Sequence, residues 1–275
     1  MSMSSSASRR AVKPRVTIAI PTVRLDDHLD AAVVSVLAQT VVDLEVVVAL
    51  DGVLPESDRR SWMDDPRIRV VASRTKRGTA ATLNTVLEAT EAPFFARLDA
   101  DDVAEPRRLE RQLAALDEHP QWCGVGSAAT VVDEHGRPFG HIDVPTEDTA
   151  RLLLKRNVFV HSAMVLRRAP LERVGGYDPR CVRMQDYDLW LRMSTTCVLG
   201  NLPERLVQYR VHRDMHSRRT PALSASTRTV LASRRRLAEH LRVPLPLQHV
   251  RDVGWTAGQV LRNAGVRRPR YLAST

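Results

Sequence analysis

The sequence predicts an α/β fold in which a mixed, mostly parallel sheet is flanked by helices. Short β-branched runs recur through the first hundred residues: "VTIAIPTV" at 16–23, "LEVVVAL" at 44–50, "RIRVVAS" at 67–73 and "FFARL" at 94–98. Runs this apolar suit strands that are covered on both faces. Between them lie stretches with apolar residues at helical spacing, such as Leu29, Val33, Val36 and Leu37. Strands alternating with helices read as parallel crossover units.

Each element has its own local cause. Pro21 stops the first strand, and Asp26 or Asp27 is positioned to cap the helix that follows. Asp51-Gly52 is a turn dipeptide closing the second strand, and residues 78–90 form an amphipathic helix before the strand at 94–98. Prolines at 106 and 120 bracket a further helix. Strands are expected in "GVGSAATVVD" and "GRPFGHIDVP", a capped helix in "TEDTARLLLKRN", and a strand in "SAMVLRR". A helix opens on two acids at 185–195, a final strand spans 205–212, and residues 222–243 and 250–264 read as basic helices. The expected organisation is a tail at 1–14, a main domain at 15–217 with halves at about 15–105 and 106–217, and a basic helical extension at 218–275.

With 275 residues and 43% hydrophobic content the chain builds a sizeable core, and no apolar run reaches the ~20 residues of a membrane span. The opening "MSMSSSASRR" lacks the apolar stretch of a secretory signal. Three cysteines at 123, 181 and 197, widely spaced and without a CxxC pair, argue against a disulfide framework and against a zinc site. Together these features read as cytosolic. From residue 201 onward stand 15 arginines, no lysine and four acids, so this quarter holds the whole net excess of +9. The bland account is a solvated helical face, "SRRRLAEHLR" included. The sharper one is a surface for anionic partners, with peripheral contact at the inner membrane face. Aromatics at 4%, none interleaved with the arginines, argue against nucleic acid.

"PFFARLDADDVAEP" at 93–106 carries the functional question, because an apolar strand runs into Asp99, Asp101 and Asp102. Three neighbouring carboxylates repel one another and gain nothing from burial unless something offsets their charge. A hard divalent cation, Mg²⁺ or Mn²⁺, does so, and leaves coordination positions for phosphate oxygens. Asp51 and Asp99 both end strands, and ligands of open α/β sheets bind beyond those carboxyl ends. A second pair, Asp186 and Asp188, opens a helix: one acid suits a cap, the other a general base beside the apolar wall of Leu189 and Trp190. His161-Ser162 reads as a packed pair, since no third group completes a catalytic set. "GVGSAA" lacks the third glycine of a dinucleotide loop, and no GxxxxGK segment is present.

Taken jointly, these segments resemble the family 2 glycosyltransferases of the GT-A fold. The likeness rests on "VTIAIPTV…SVLAQT…DLEVVVALDG", "RGTAATLNTVLEAT", "ARLDADDVAEPRRLERQ", "VGGYDPRCVRMQDYDLWLRM" and "LVQYRVHRDMHS", covering residues 15–217. It implies sugar transfer from a nucleotide diphosphate sugar, UDP-sugars favoured, to a hydroxyl of a glycan, lipid-linked or small-molecule acceptor, with inversion. By position, Pro21, Thr22, Val23, Asp51, Arg77, Gly78 and Asp99 would frame the nucleotide. Asp99, Asp101 and Asp102 would hold the metal with His212 nearby, and Asp186 would be the base. Val23, Leu50 and Gln185 depart from the family pattern. Two rivals share parts of the sequence: a phosphatase using Asp99 of "DADDV" as nucleophile, and a non-catalytic domain binding sugar nucleotide or anionic polymer.

Overall fold

Strand β1 (Val16–Thr22) buries Val16, Ile18 and Ile20 in one apolar cluster and Ala19 in the other, as a β-branched run does between two helical layers. The computed structural model describes residues 13–212 and 224–263. Most of the expected tail, residues 213–223 and residues 264–275 of the expected extension lie outside the described residues. β1 runs parallel to β2 (Leu44–Asp51) and β4 (Phe94–Arg97), and β2 runs parallel to β3 (Ile68–Ser73). Helix α1 (Asp27–Leu37) makes the first crossover, capped by Asp26, which accepts from the Leu29 N–H at 3.1 Å. Helix α2 (Thr79–Ala89) enters from Gly78 at φ 87°, a left-handed position that suits glycine.

The second half extends the same sheet. β8 (Val165–Arg167) pairs antiparallel to β4 and to β6 (Trp122–Val132), while β9 (Val198–Arg210) lies parallel to β6. The two-residue β5 (Val103–Ala104) adds to β9, and β7 (Pro138–Ile142) forms a hairpin with β6. The order is β3-β2-β1-β4-β8-β6-β9-β5. Leu29 and Val36 of α1 and Leu109 and Leu113 of α3 (Arg108–Glu118) pack one face. Leu83 of α2, Leu189 of α6 (Gln185–Met193) and Val230 and Leu237 of α7 (Ala225–His240) pack the other. The short α4 (Thr149–Leu153) and α5 (Arg168–Arg173) cover the latter half, and α8 (Leu245–Asn263) closes the description.

Several expectations are corrected. Cys123 and Cys197 form a disulfide with Cα atoms 5.9 Å apart. Wide sequence spacing misled here, because β6 and β9 start side by side with Trp122 opposite Val198. Arg234 of α7 is not solvated. It is fully buried, donating to Asp252 at 2.7 Å, the Tyr187 hydroxyl at 2.8 Å and the Leu154 carbonyl at 2.7 Å. The helix expected at 146–157 shrinks to five residues, with no side-chain cap; the Thr149 hydroxyl instead donates to the Leu199 carbonyl at 2.6 Å. The last strand starts at Val198 rather than 205, with its ladder shifting where Pro203 has no N–H to give. α8 begins five residues early, since the first turn tolerates Pro246.

Candidate active site

The parallel strands deliver their carboxyl ends to one edge of the sheet. Thr22 closes β1 opposite Leu50, Asp51 closes β2, and Asp99 follows β4 by two residues. The Thr22 hydroxyl donates to the Arg24 carbonyl at 2.7 Å, which shapes the Pro21–Val23 exit. Asp51 is 4% exposed and accepts from the backbone N–H groups of Arg77 at 2.6 Å and Gly78 at 2.8 Å. One buried carboxylate therefore pins the loop that leads into α2.

Asp99, Asp101 and Asp102 come together, each offering an oxygen within 4.8 Å of the others. Asp99 pairs through Oδ1 with the buried Arg97, and its N–H donates to Ser162 Oγ at 2.9 Å. Asp101 Oδ2 lies 2.8 Å from His212 Nε2. Asp102 is 1% exposed, and its Oδ1 accepts from the Arg210 N–H at 2.8 Å. Arg210 also donates from Nε to the Asp101 carbonyl at 2.8 Å, and from Nη1 to the Asp133 and Glu134 carbonyls at 3.1 Å. β9 thus grips the acidic loop from the side opposite β4.

The electrostatics favour a cation. Burial, then the charges of Asp99 and Asp101, push the Asp102 carboxyl well above its ordinary range. Burial and Asp99 also raise Asp101, with His212 opposing them. Asp102 Oδ2 is buried without a hydrogen-bond partner, an atom that natural structures rarely leave unsatisfied. All-oxygen donors, an orphaned carboxylate atom and mutual repulsion together fit a hard divalent ion. Each carboxylate has one oxygen engaged, Asp99 by Arg97, Asp101 by His212 and Asp102 by the Arg210 N–H. Beneath the loop, burial pushes the Arg108 guanidinium down to about 9, and its Nη2 donates to the Arg97 carbonyl at 2.7 Å.

The two acids of α6 part company. Asp188 is fully buried and accepts from Arg192 Nε at 2.8 Å and Ser233 Oγ at 2.6 Å, which ties α6 to α7. Asp186 is half-buried and accepts from Asn157 Nδ2 at 2.7 Å. Burial raises its carboxyl above the ordinary range, opposed by the Tyr187 N–H, the Asn157 amide and the Arg97 charge. Arg97 therefore links the two acid groups, paired with Asp99 and within electrostatic reach of Asp186. Asn157 also lines a cleft of about 310 Å³ with His141, Asp143, Arg156 and Phe159. His161 and Ser162, read from the sequence as a packed pair, serve different partners. His161 Nε2 sits 3.0 Å from the Tyr177 hydroxyl, its basicity lowered well below normal by burial and the Arg97 charge.

Sequence reasoning missed Arg97, Asn157 and Arg210. Arg97 left a readable sign, a lone cation inside an apolar strand that leads to acids. Asn157 and Arg210 left none, since their partners lie 29 and 108 residues away.

The chain matches the family described as Glycosyl transferase family 2 over residues 17–175. The amylovoran biosynthesis glycosyltransferase AmsE of Erwinia amylovora is 30% identical over 198 residues, spanning 70% of this chain and 74% of AmsE. Among solved structures, S. aureus TarS in complex with UDP-GlcNAc has a TM-score of 0.64 at 15% identity, over 92% of this chain and 74% of that one. The mannosyltransferase PcManGT of Pyrobaculum calidifontis, in complex with GDP-Man and Mn²⁺, has a TM-score of 0.60 at 18% identity, covering 95% of this chain and 78% of its own. These likenesses to solved structures bear out the GT-A fold.

Proposed function

The chain belongs to glycosyltransferase family 2, and from that premise we propose that it moves a sugar from a nucleotide diphosphate sugar to an acceptor hydroxyl with inversion at the anomeric carbon. The observation that carries this reading is the close cluster of Asp99, Asp101 and Asp102 beyond β4, with Asp186 accepting from Asn157 at 2.7 Å and lying within electrostatic reach of the Arg97 that pairs with Asp99. A hydroxyl is a weak nucleophile until a base takes its proton, and a carboxylate of raised basicity suits that task. The proton passes to Asp186 as the acceptor oxygen bonds to the anomeric carbon. The bond from that carbon to the diphosphate oxygen breaks on the opposite face.

On the donor side, Asp51 with Pro21, Thr22, Val23, Arg77 and Gly78 frames the nucleotide, and Asp99 reaches ribose or metal. Asp101 and Asp102, with His212 beside them, would hold Mn²⁺ or Mg²⁺. When bound, the ion supplies charge neutralisation for the departing diphosphate. UDP-sugars are the favoured donors; the TarS and PcManGT complexes contain UDP-GlcNAc and GDP-Man, so both bases belong in the assay. The acceptor is a glycan, a lipid-linked sugar or a small molecule docking in the cleft at Asn157. The name of AmsE supports a cell-envelope polysaccharide among these.

Calorimetry with UDP and GDP, with and without Mn²⁺, tests the donor side. Metal-dependent binding in the wild type and its loss in Asp101→Ala are expected; equal binding without metal would overturn the metal assignment. Full transfer activity in Asp186→Asn would overturn the base.

A further inference from the structure

Helix α8 is amphipathic the wrong way round for a helix that merely packs. Its inward side carries Gln248, Asp252 and Gln259, all buried, beside Trp255. Its outward side exposes Leu247, Val250, Val253, Val260 and Leu261, between 44% and 68% accessible, with Leu245 just before them. At about 100° per residue, positions 247, 249, 250, 253, 254, 257, 260 and 261 share an arc of roughly 160° that holds no acid, lysine or arginine. A solvent-facing helix usually shows charge on that side, so a continuous apolar strip marks a surface that meets something other than water.

Cations border the strip. Arg251 lies next to Val250 on the helix, and it lines a pocket of about 190 Å³ with Arg151, Lys155, Asp148, Leu152 and Val243. Neither Arg151, Lys155 nor Arg251 is ion-paired among the described residues, so three free cations face one acid there. Arg242, exposed at the turn between α7 and α8, adds a further charge at the same end. The twelve residues after Asn263 contain three arginines and no acid.

We infer that the outward face of α8 docks on an anionic lipid surface, its apolar strip entering the headgroup boundary while Arg151, Lys155 and Arg251 receive lipid phosphates. An apolar helix face flanked by cations is the combination that such interfacial binding needs. A second copy of the chain fits less well. Two-fold pairing through the strip turns like-charged flanks toward each other, and isologous contacts must be self-complementary. On α7, Arg234 is spent inside the core, while Arg235 and Arg236 stay exposed.

Co-sedimentation of the full chain with vesicles tests this without reference to the transfer reaction. Vesicles of phosphatidylcholine containing roughly a third phosphatidylglycerol should pull the protein down, and phosphatidylcholine alone should not. Val250→Asp with Val253→Asp, both at exposed positions, should cut the bound fraction about tenfold. Arg151→Glu with Lys155→Glu should abolish the preference for the anionic vesicles. Binding that ignores the valine changes, or no binding to either vesicle, would overturn the inference. A dimer by light scattering that the valine variant dissociates, with no vesicle binding, would give the strip to a second copy.

Discussion

Asn157 Nδ2 stands 2.7 Å from Asp186 Oδ2, so a neutral amide in the wall of the cleft holds the carboxyl proposed as base. That bond favours the charged form, whereas burial favours the neutral one. Removing the amide leaves burial less opposed. Asn157→Leu should therefore move the acid limb of the kcat/KM profile upward. An unmoved limb would separate Asp186 from the ionisation that limits the rate.

Asp186→Asn should lower transfer by at least ~100-fold while nucleotide binding persists. Stability should move the other way. The folded carboxyl has a raised pKa, so its stabilising contribution is complete below the unfolded value near ~3.9 and is lost as pH rises through the folded value. Burial penalises the ionised carboxylate, and the amide variant carries no charge at any pH. Thermal unfolding should give the variant a Tm equal to or above the wild type at pH 7, with the gap closing toward pH 4. A lower Tm at pH 7 would make Asp186 a structural residue instead.

Asp101→Ala should reduce nucleotide affinity in Mn²⁺ about tenfold, down to the value measured without metal. His212→Ala provides the graded comparison, since the imidazole touches Asp101 while the aspartate trio alone forms the close oxygen cluster. A smaller loss is expected there. Titrating Mn²⁺ at fixed UDP reads both variants.

Asp188 predicts the contrasting behaviour to its neighbour. Asp188→Ala strips a buried partner from Arg192 and Ser233 and should cost about 3–5 kcal/mol in urea unfolding. The variant protein that remains folded should keep its pH profile, because the carboxylate is spent on joining α6 to α7.

The disulfide between Cys123 and Cys197 closes 74 residues of sequence, and cross-links of that kind typically contribute about 2–4 kcal/mol. Adding a thiol reductant should lower the Tm of the wild type and leave Cys123→Ser unchanged. Identical melting with and without reductant would show that the bond does not form in solution.

The first half of the fold was legible because its cues are local. β1, β2, β3 and α2 fall within a residue or two of the spans read from apolar periodicity, and α1 starts at the cap read as Asp26 or Asp27. The acidic loop was legible for the same reason, its three carboxylates being neighbours in sequence. What stayed hidden depends on distant pairing. The Cys123–Cys197 bond follows from the β6–β9 register, and the burial of Arg234 follows from Asp252 and Tyr187 arriving from two other helices. Asp186 and Asp188 both stand in the first turn of α6, and only their distant partners, Asn157 for one and Ser233 for the other, tell them apart.

The union of β5 with β9 bears on how the protein is made. Asp102 receives its N–H from Arg210, a span of 108 residues, and Val103 and Ala104 find their ladder only against Val207 and Gln208. A chain emerging from the ribosome exposes all three acids long before the strand that restrains them exists. The acidic cluster is thus among the last parts to be finished, and if it holds Mn²⁺ as proposed, fragments ending ahead of residue 207 should assemble a recognisable amino-terminal half yet bind the ion poorly.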